Sequence, residues 1–266
     1  MKVLVIGAGN MGLTYATSIG ESKMLNGRDL LIMDAAPDKV KSLEKIDYFD
    51  VYDRIENCID KADVVLIAVK PYHSAALFES IKDLVRQDQL FVSLMAGVTI
   101  KTIQEALGVK KVIRTMPNLP AQVGKGVTSF TSAPEVSQVE LDVVKKLLDT
   151  TGVSLLVKDE RTIDASTGIS GSGPAYVFYF MQSMMDAALD MEFSPEEAKM
   201  LVQQTFEGAI ELFNQSNLSP EEWMSRVASK GGTTQAALDS MENNKVKELI
   251  KEAAFAAFNR AEEIGR

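Results

Sequence analysis

The glycine-rich segment Gly7-Ala8-Gly9-Asn10-Met11-Gly12 constrains the fold more than any other feature of this chain. It follows the apolar run Val3–Ile6, which predicts a strand, and it opens a predicted helix. In such a strand–turn–helix unit the first glycine allows a tight turn and the second lets the backbone approach a pyrophosphate. The third lets helix and strand pack closely. The segment therefore predicts a dinucleotide site, with Gly7, Ala8, Gly9, Asn10, Met11 and Gly12 as cofactor-binding candidates.

Apolar runs recur through the first half of the chain and alternate with helical stretches. The runs after Val3–Ile6 are Leu30–Met33, Val64–Val69, Phe91–Leu94 and Val112–Thr115. Every residue of Val64–Val69 is apolar, which is typical of a strand buried on both faces of a parallel sheet. Later strands are predicted at Gly126–Thr131 and Ser154–Val157, with a helix around Glu135–Thr150 between them. The alternation predicts βαβ units and a Rossmann-type parallel sheet.

The chain after residue 158 has a different pattern, with no convincing strand. Ser194 and Ser219 each precede Pro-Glu-Glu, so each predicts a helix N-cap with proline at the first helical position. The predicted fold class is α/β, with a dinucleotide-binding Rossmann domain over residues 1–158 and an all-helical domain over residues 159–266. The apolar segment Ala175–Met191 predicts a helix buried on most sides, either in the core of a monomer or at a subunit interface.

Composition excludes several classes of protein. The 266 residues include one histidine, His73, and one cysteine, Cys58, so no disulfide within the chain and no Cys/His metal site is expected. The net charge of −9 argues against a nucleic-acid partner. No apolar run of about 18 residues is present, so no membrane association is expected. Without a cleavable signal at its beginning, the chain is expected to be cytoplasmic.

Asp34 lies at the end of the second predicted strand and bears on the choice of nucleotide. A carboxylate here accepts hydrogen bonds from the ribose 2′-OH of NAD and repels the 2′-phosphate of NADP. The following residues Ala35–Ala36 offer nothing to a phosphate, although Lys39 and Lys41 add positive charge nearby. We therefore expect NAD(P)H as cofactor, with NADH favoured over NADPH. The alternative role for Asp34 is to cap the helix that begins near Pro37.

Five motifs, in order along the chain, resemble those of the pyrroline-5-carboxylate reductases. They are Ala68-Val69-Lys70-Pro71, residues 93–99, residues 114–120, residues 168–176 and residues 229–234. The first three follow predicted strands, where open parallel sheets bind their ligands. Further cofactor-binding candidates are therefore Ala68, Val69, Lys70, Pro71, Ala96, Gly97 and Asn118. The resemblance covers essentially the whole chain and implies an oxidoreductase that transfers hydride from NAD(P)H to the C=N bond of 1-pyrroline-5-carboxylate, giving L-proline in the final step of proline biosynthesis.

The resemblance also implies a substrate loop before the short predicted helix Gln235–Met241. Its substrate-binding candidates are Ser229, Gly231, Gly232, Thr233 and Thr234. Backbone amides would hold the substrate carboxylate, and the Thr234 hydroxyl would bond the ring nitrogen as the catalytic group. On the residues alone, a glycine turn with a threonine N-cap is the favoured interpretation of this segment. Lys230 stands where the family usually has proline. The resemblance further implies a homodimer built from the helical domains, with assembly into rings of dimers.

Two other functions are consistent with a Rossmann domain followed by helices. A β-hydroxyacid-type dehydrogenase would place a catalytic lysine on an early helix of the second domain, and Ala175–Met191 contains none. A non-catalytic nucleotide-binding regulator would be expected to have a degenerate substrate loop, whereas Ser229 and residues 231–234 are intact. The scarcity of histidine favours imine reduction, because a cyclic imine can arrive protonated and needs less from a protein acid than a ketone does.

Overall fold

One eight-stranded sheet dominates the computed structural model of the chain, which describes residues 1–264. Its strands are β1 (Val3–Ile6), β2 (Leu30–Met33), β3 (Asp50–Tyr52), β4 (Val64–Ile67), β5 (Leu90–Ser93), β6 (Val112–Met116), β7 (Gly126–Ser132) and β8 (Gly152–Leu156). Their spatial order is β3-β2-β1-β4-β5-β6-β7-β8. The order reverses between β1 and β4, as in a doubly wound nucleotide-binding sheet, so the predicted Rossmann-type fold is confirmed.

The predicted strands agree with the observed ones to within about two residues, and two features were not foreseen. β3 escapes prediction because its three residues, at the edge of the sheet, contain no continuous apolar run. β7 runs antiparallel to β6, whereas all other neighbours are parallel. The connection between β6 and β7 holds only a short 3₁₀ turn, Leu119–Val123, and a parallel pairing would need a longer crossover.

Six helices accompany the sheet in the same compact unit. They are α1 (Asn10–Glu21), α2 (Pro37–Leu43), α3 (Ser74–Ile81), α4 (Ile100–Leu107), α5 (Gln138–Leu148) and α6 (Glu160–Ser166). A π-helix, Thr167–Gly171, follows α6 directly. All residues of β1, β4 and β5 are buried, as expected for strands covered on both faces. The buried Tyr15 of α1 is also bonded to Thr128 of β7 through their hydroxyls at 2.6 Å, which fixes the first helix on the sheet.

The described chain forms two compact units. The first contains residues 1–172 together with the chain from residue 256 onward, and the second contains Gly173–Phe255. The helices after the π-helix are α7 (Gly173–Asp190), α8 (Pro195–Asn214), α9 (Pro220–Val227), α10 (Thr233–Asn243) and α11 (Val246–Ile264). The division by packing thus differs from the predicted boundary at residue 158. The reason is that α6 bonds to β6 through the buried Arg114, and the end of α11 returns to the first unit.

The helical unit confirms the predicted helix starts and corrects one expectation. Ser194 and Ser219 each form a capping box with a glutamate three residues later. By contrast, no residue of α7 is buried, and Phe178 and Tyr179 are 60% and 75% exposed. The expectation that this apolar helix is buried on most sides is therefore wrong for a single chain. The exposed apolar side chains contradict the monomer-core alternative and are consistent with the subunit-interface alternative. Within residues 1–264, no helix combines the length and hydropathy needed to cross a bilayer.

Cys58 is expected to be unreactive while the protein is folded. Its side chain is fully buried, and burial raises the pKa of the thiol to about 12, although Lys61 partly opposes the shift. Since only the thiolate reacts with disulfide reagents, titration with a chromogenic disulfide at pH 8 should detect almost no thiol before denaturant is added. One thiol per chain should appear afterwards. Rapid reaction of the native protein would contradict this account.

Candidate functional site

A cavity of about 880 Å³ opens where β1, β2, β4, β5 and β6 end. The predicted cofactor residues in its wall are Gly7, Gly9, Asn10, Met11, Asp34, Ala68, Val69, Lys70, Pro71 and Ala96. The cavity thus spans the point where the strand order reverses, which is where doubly wound sheets bind nucleotides. An extended dinucleotide with its pyrophosphate at the glycine turn would place its adenosine toward β2 and its nicotinamide toward β5 and β6.

The glycine turn has the geometry that a pyrophosphate site requires. Gly7 has φ +95°, a conformation that side chains disfavour. A Cβ at Gly12 would lie 1.8 Å from the carbonyl oxygen of Gly7, so only glycine lets α1 pack here. Gly9 has open space where its Cβ would be, and it lies in the cavity wall just before the N-terminus of α1. An anion bound over Gly9 would therefore meet free space and the positive end of the helix.

Asp34 is held as a carboxylate at the β2 end of the cavity. Its Oδ2 accepts hydrogen bonds from the N–H of Ala8 at 2.8 Å and from Nζ of Lys39 at 3.2 Å, and its Oδ1 accepts from the N–H of Ala36. Burial alone would raise the pKa of Asp34, but these donors outweigh burial and lower it. The alternative role as a helix cap is wrong. The N-cap of α2 is Ala36, and Asp34, two residues earlier, accepts from the N–H of this N-cap residue instead of from an N–H within the helix.

Four predicted cofactor residues lie outside the cavity wall, and each has another contact. The N–H of Ala8 is bonded to Asp34, and Gly12 packs under Gly7. Gly97, with φ +73°, is covered by Ile264 at the end of α11. The structure thus places Ala8, Gly12 and Gly97 next to the cavity wall in sequence but not among its lining residues.

Asn118 is the fourth of these residues, and its amide connects two parts of the first unit. Its Nδ2 donates to the carbonyl of Ser170 in the π-helix at 3.1 Å, and its Oδ1 accepts from the N–H of Val127 at 2.9 Å. The side chain is thereby directed into protein, where it is 9% exposed. Its residue type suits such a bridge, because one amide both donates and accepts.

The cavity wall also contains residues outside the predicted set. Those at the mouth or on the β5 and β6 side are Lys39, Tyr72, His73, Met95, Met116 and Pro117. Tyr72 and His73 follow Lys70-Pro71 in a short 3₁₀ turn, and their rings meet edge to face at 4.3 Å. Their position directly after a strand end is the sequence signal that could have identified them as residues of the cavity wall. His73 is exposed and also lies in the cavity wall.

The predicted substrate loop lies in the second unit, at the start of α10. Gly231 has φ +73°, and the N–H of Gly232 bonds to the carbonyl of Ser229 at 2.9 Å. The N-cap is Gly232 with no side-chain cap, so the alternative of a threonine N-cap is wrong. Thr234 also lies in the wall of an apolar cavity of about 550 Å³ formed by helices of this unit. The loop thus presents uncapped amides at a helix N-terminus beside a hydroxyl.

Within residues 1–264, no three or more His, Cys, Asp or Glu side chains form a group that could hold a metal ion. The doubly wound sheet, the glycine turn and the cavity at its reversal point together define a dinucleotide-binding Rossmann protein. Two family models agree with the two parts of the chain. Residues 2–97 match the NADP oxidoreductase, coenzyme F420-dependent, family, and residues 160–264 match the pyrroline-5-carboxylate reductase dimerisation family.

Comparison with known proteins over nearly the full length of the chain shows which family of Rossmann proteins it belongs to. The chain is 34% identical to pyrroline-5-carboxylate reductase 2 of Bacillus subtilis, over 99% of this chain and 95% of that protein. It is 32% identical to the pyrroline-5-carboxylate reductase of Pseudomonas aeruginosa, over 99% and 96%. The solved pyrroline-5-carboxylate reductase of Coxiella burnetii superimposes with a TM-score of 0.92 at 29% identity, covering 100% and 98% of the two chains. The chain belongs to the pyrroline-5-carboxylate reductase family, as its motifs predicted.

Proposed function

We propose that this protein reduces the C=N bond of 1-pyrroline-5-carboxylate with NAD(P)H and forms L-proline. Family membership over almost the whole chain carries this proposal, and the cavity over the glycine turn supports it. A solved relative from Plasmodium falciparum has NADP bound and superimposes with a TM-score of 0.89 at 27% identity, covering 100% of this chain and 98% of that one. The open space at Gly9 and the N-terminus of α1 suit the same kind of dinucleotide.

The chemistry divides between the cofactor and the chain. When bound, the reduced nicotinamide supplies a hydride to the C=N carbon, and a proton on the ring nitrogen completes the secondary amine. The amides at the start of α10 would hold the substrate carboxylate, since they are uncapped and lie at the positive end of a helix. The Thr234 hydroxyl would bond the ring nitrogen and stabilise its proton. No strong acid is required, because the imine can arrive protonated, so positioning supplies most of the rate.

One assay tests the reaction directly. Purified protein is mixed with pyrroline-5-carboxylate and with either NADH or NADPH. Oxidation of the cofactor is followed over time, and the L-proline formed is measured by chiral chromatography. Proline formation in proportion to cofactor oxidised is expected. Failure to oxidise either cofactor would contradict the proposed function.

NADH is proposed as the favoured cofactor because of the charge at Asp34. The carboxylate lies in the cavity wall and stays ionised, so it repels a 2′-phosphate and accepts from a 2′-hydroxyl. Lys39 reduces this repulsion, because its ammonium lies 3.2 Å from the same carboxylate, and it gives NADPH a cation to bind. The preference is therefore one of degree.

Asp34→Asn is expected to shift the ratio of kcat/KM for NADH over NADPH toward NADPH by roughly tenfold or more. The amide oxygen can still accept from the N–H of Ala8, so the glycine turn should keep its shape. Asp38→Asn, the same change at an exposed position in the first turn of α2, serves as the control and should leave the ratio unchanged. An unaltered ratio in Asp34→Asn would remove Asp34 from cofactor selection.

The assembly is proposed to be a homodimer formed by the helical region, located in the cytoplasm. The dimerisation family model covers residues 160–264, and α7 and α8 present exposed apolar side chains such as Tyr179, Ile210 and Phe213. A free buried Cys58 is consistent with a reducing compartment. Rings of dimers remain a prediction. Sedimentation of the native protein would separate monomer, dimer and larger rings by mass.

A further inference from the structure

The turn between β5 and α4, residues 94–99, forms the β5 side of the cavity wall. Leu94, Met95 and Ala96 line the cavity, and the turn ends at the N-cap Thr99. Because the adenosine side lies at β2, this wall is on the nicotinamide side of a bound dinucleotide. The position of these three residues therefore bears on where the reacting ring lies.

The exit of the turn is held by a residue far along the chain. Ile100 is the first residue of α4, so its N–H has no partner within the helix. Glu160, at the start of α6, accepts this N–H at Oε1 with a distance of 2.9 Å. The same oxygen accepts from Nη1 of Arg114 at 3.2 Å, and Nη2 of Arg114 donates to Asp164. Since Arg114 is 2% exposed and lies within β6, Glu160 is fixed to the sheet.

The middle of the turn is held by the last described residue of the chain. A Cβ at Gly97 would lie 2.4 Å from Cγ2 of Ile264, so the end of α11 packs directly on this glycine. The end of α11 is also tied to the start of α6 through Arg161. The Arg161 guanidinium pairs with Glu262 at 3.3 Å and lies 5.3 Å from the ring centre of Phe258.

We propose that Glu160 and Ile264 form a bracket that positions the turn 94–99, and that both are positioning residues for the nicotinamide end of the cavity. The inference rests on the proposed function only in taking the ligand to be a nicotinamide dinucleotide. The bracket holds the turn at Gly97, where φ is +73°, and at its exit, Ile100. Small displacements of a reacting group are costly when catalysis depends on placement, so a held wall suits this reaction.

Binding measurements separate the bracket from general stability. The variants are Glu160→Ala, Glu160→Gln and Ile264→Ala, and the ligands are NADH and ADP-ribose, which lacks the nicotinamide. In Glu160→Ala and Ile264→Ala the Kd for NADH should rise roughly tenfold, while the Kd for ADP-ribose stays unchanged. Glu160→Gln keeps an oxygen that can accept the Ile100 N–H, so it should restore most of the NADH affinity.

Amide hydrogen exchange of the cofactor-free protein gives a second measurement. Exchange in residues 95–100 should accelerate in Glu160→Ala and return toward normal in Glu160→Gln. Glu105→Ala is the matched control. Glu105 lies in α4, the helix that follows the turn, and pairs with Lys101 on the exposed face of that helix at 3.7 Å. It should change neither exchange nor affinity.

Two results would overturn the bracket. Equal loss of NADH and ADP-ribose affinity in the variants would show a general structural role, and unchanged NADH affinity with unchanged exchange would show no role at all. A wild-type protein that binds ADP-ribose and fails to bind NADH would instead contradict the proposed function. Tight NADH binding without imine reduction would contradict the proposed reaction and leave the bracket supported if the variants behave as expected.

Discussion

Thr234→Ala is expected to lower kcat for imine reduction roughly 10²-fold. The proposed role of the hydroxyl is to bond the ring nitrogen and stabilise its proton while the C=N carbon gains a hydride. Thr234 is the second residue of α10 and lies in the second unit, whereas the glycine turn lies in the first. The Kd for NADH, measured by fluorescence titration, should therefore stay close to that of the wild type.

Two further variants make the result specific to the hydroxyl. Thr234→Ser keeps an oxygen at the same position and should recover most of the lost rate. Ser240→Ala removes a hydroxyl from an exposed position of the same helix and should leave the rate unchanged. Wild-type turnover in Thr234→Ala would exclude this residue from the mechanism, and a parallel fall in Thr234→Ser would point to a packing effect.

Gly12→Ala is expected to lower the free energy of unfolding by on the order of 3 kcal/mol, with or without cofactor. The added Cβ would lie 1.8 Å from the backbone oxygen of Gly7 and 2.9 Å from Cβ of Ala68, so both backbone and side chain would have to move. Calorimetry of the cofactor-free protein should show a fall in Tm of roughly 10 °C.

Gly9→Ala provides the contrast, because its cost should appear only when the dinucleotide binds. Gly9 has φ −75° and no neighbour within 4 Å of a Cβ, so alanine fits the unliganded protein. The same Cβ would stand where a pyrophosphate approaches the turn, and the Kd for NADH should rise by roughly tenfold or more. Normal NADH affinity in Gly9→Ala would move the pyrophosphate away from this turn. A destabilised protein without cofactor would contradict the packing seen at Gly9.

Local pattern was sufficient to predict most of the sheet. β1, β2 and β4 are continuous apolar runs, because strands covered on both faces need apolar side chains at every position. Much of the cavity wall was also predictable from local pattern, because glycine and proline directly after predicted strands indicate the turns that form it. β3 was missed because an edge strand of three residues carries little of this pattern.

The features that could not be predicted from the sequence depend on contacts between residues that are far apart in the chain. Arginine side chains usually lie at the surface, yet Arg114 is buried. Its charge is neutralised by Glu160 and Asp164, which lie 46 and 50 positions later in the chain. Asn118 follows a strand end, as cofactor ligands do, but its amide is used by Ser170 and Val127. No spacing or periodicity reveals such pairs, and the covering of Gly97 by Ile264 is of the same kind.

The return of the chain to its first unit has a consequence for how the protein is made. Synthesis proceeds from the N-terminus, and domains generally fold as they emerge. Here residues 256–264, which follow the helical unit Gly173–Phe255 in the chain, belong to the same unit as the sheet. The sheet can therefore form before residues 256–264 are synthesised, while Gly97 stays uncovered and Arg161 lacks Glu262. Completion of the nucleotide unit thus requires that the inserted helical unit has been synthesised first.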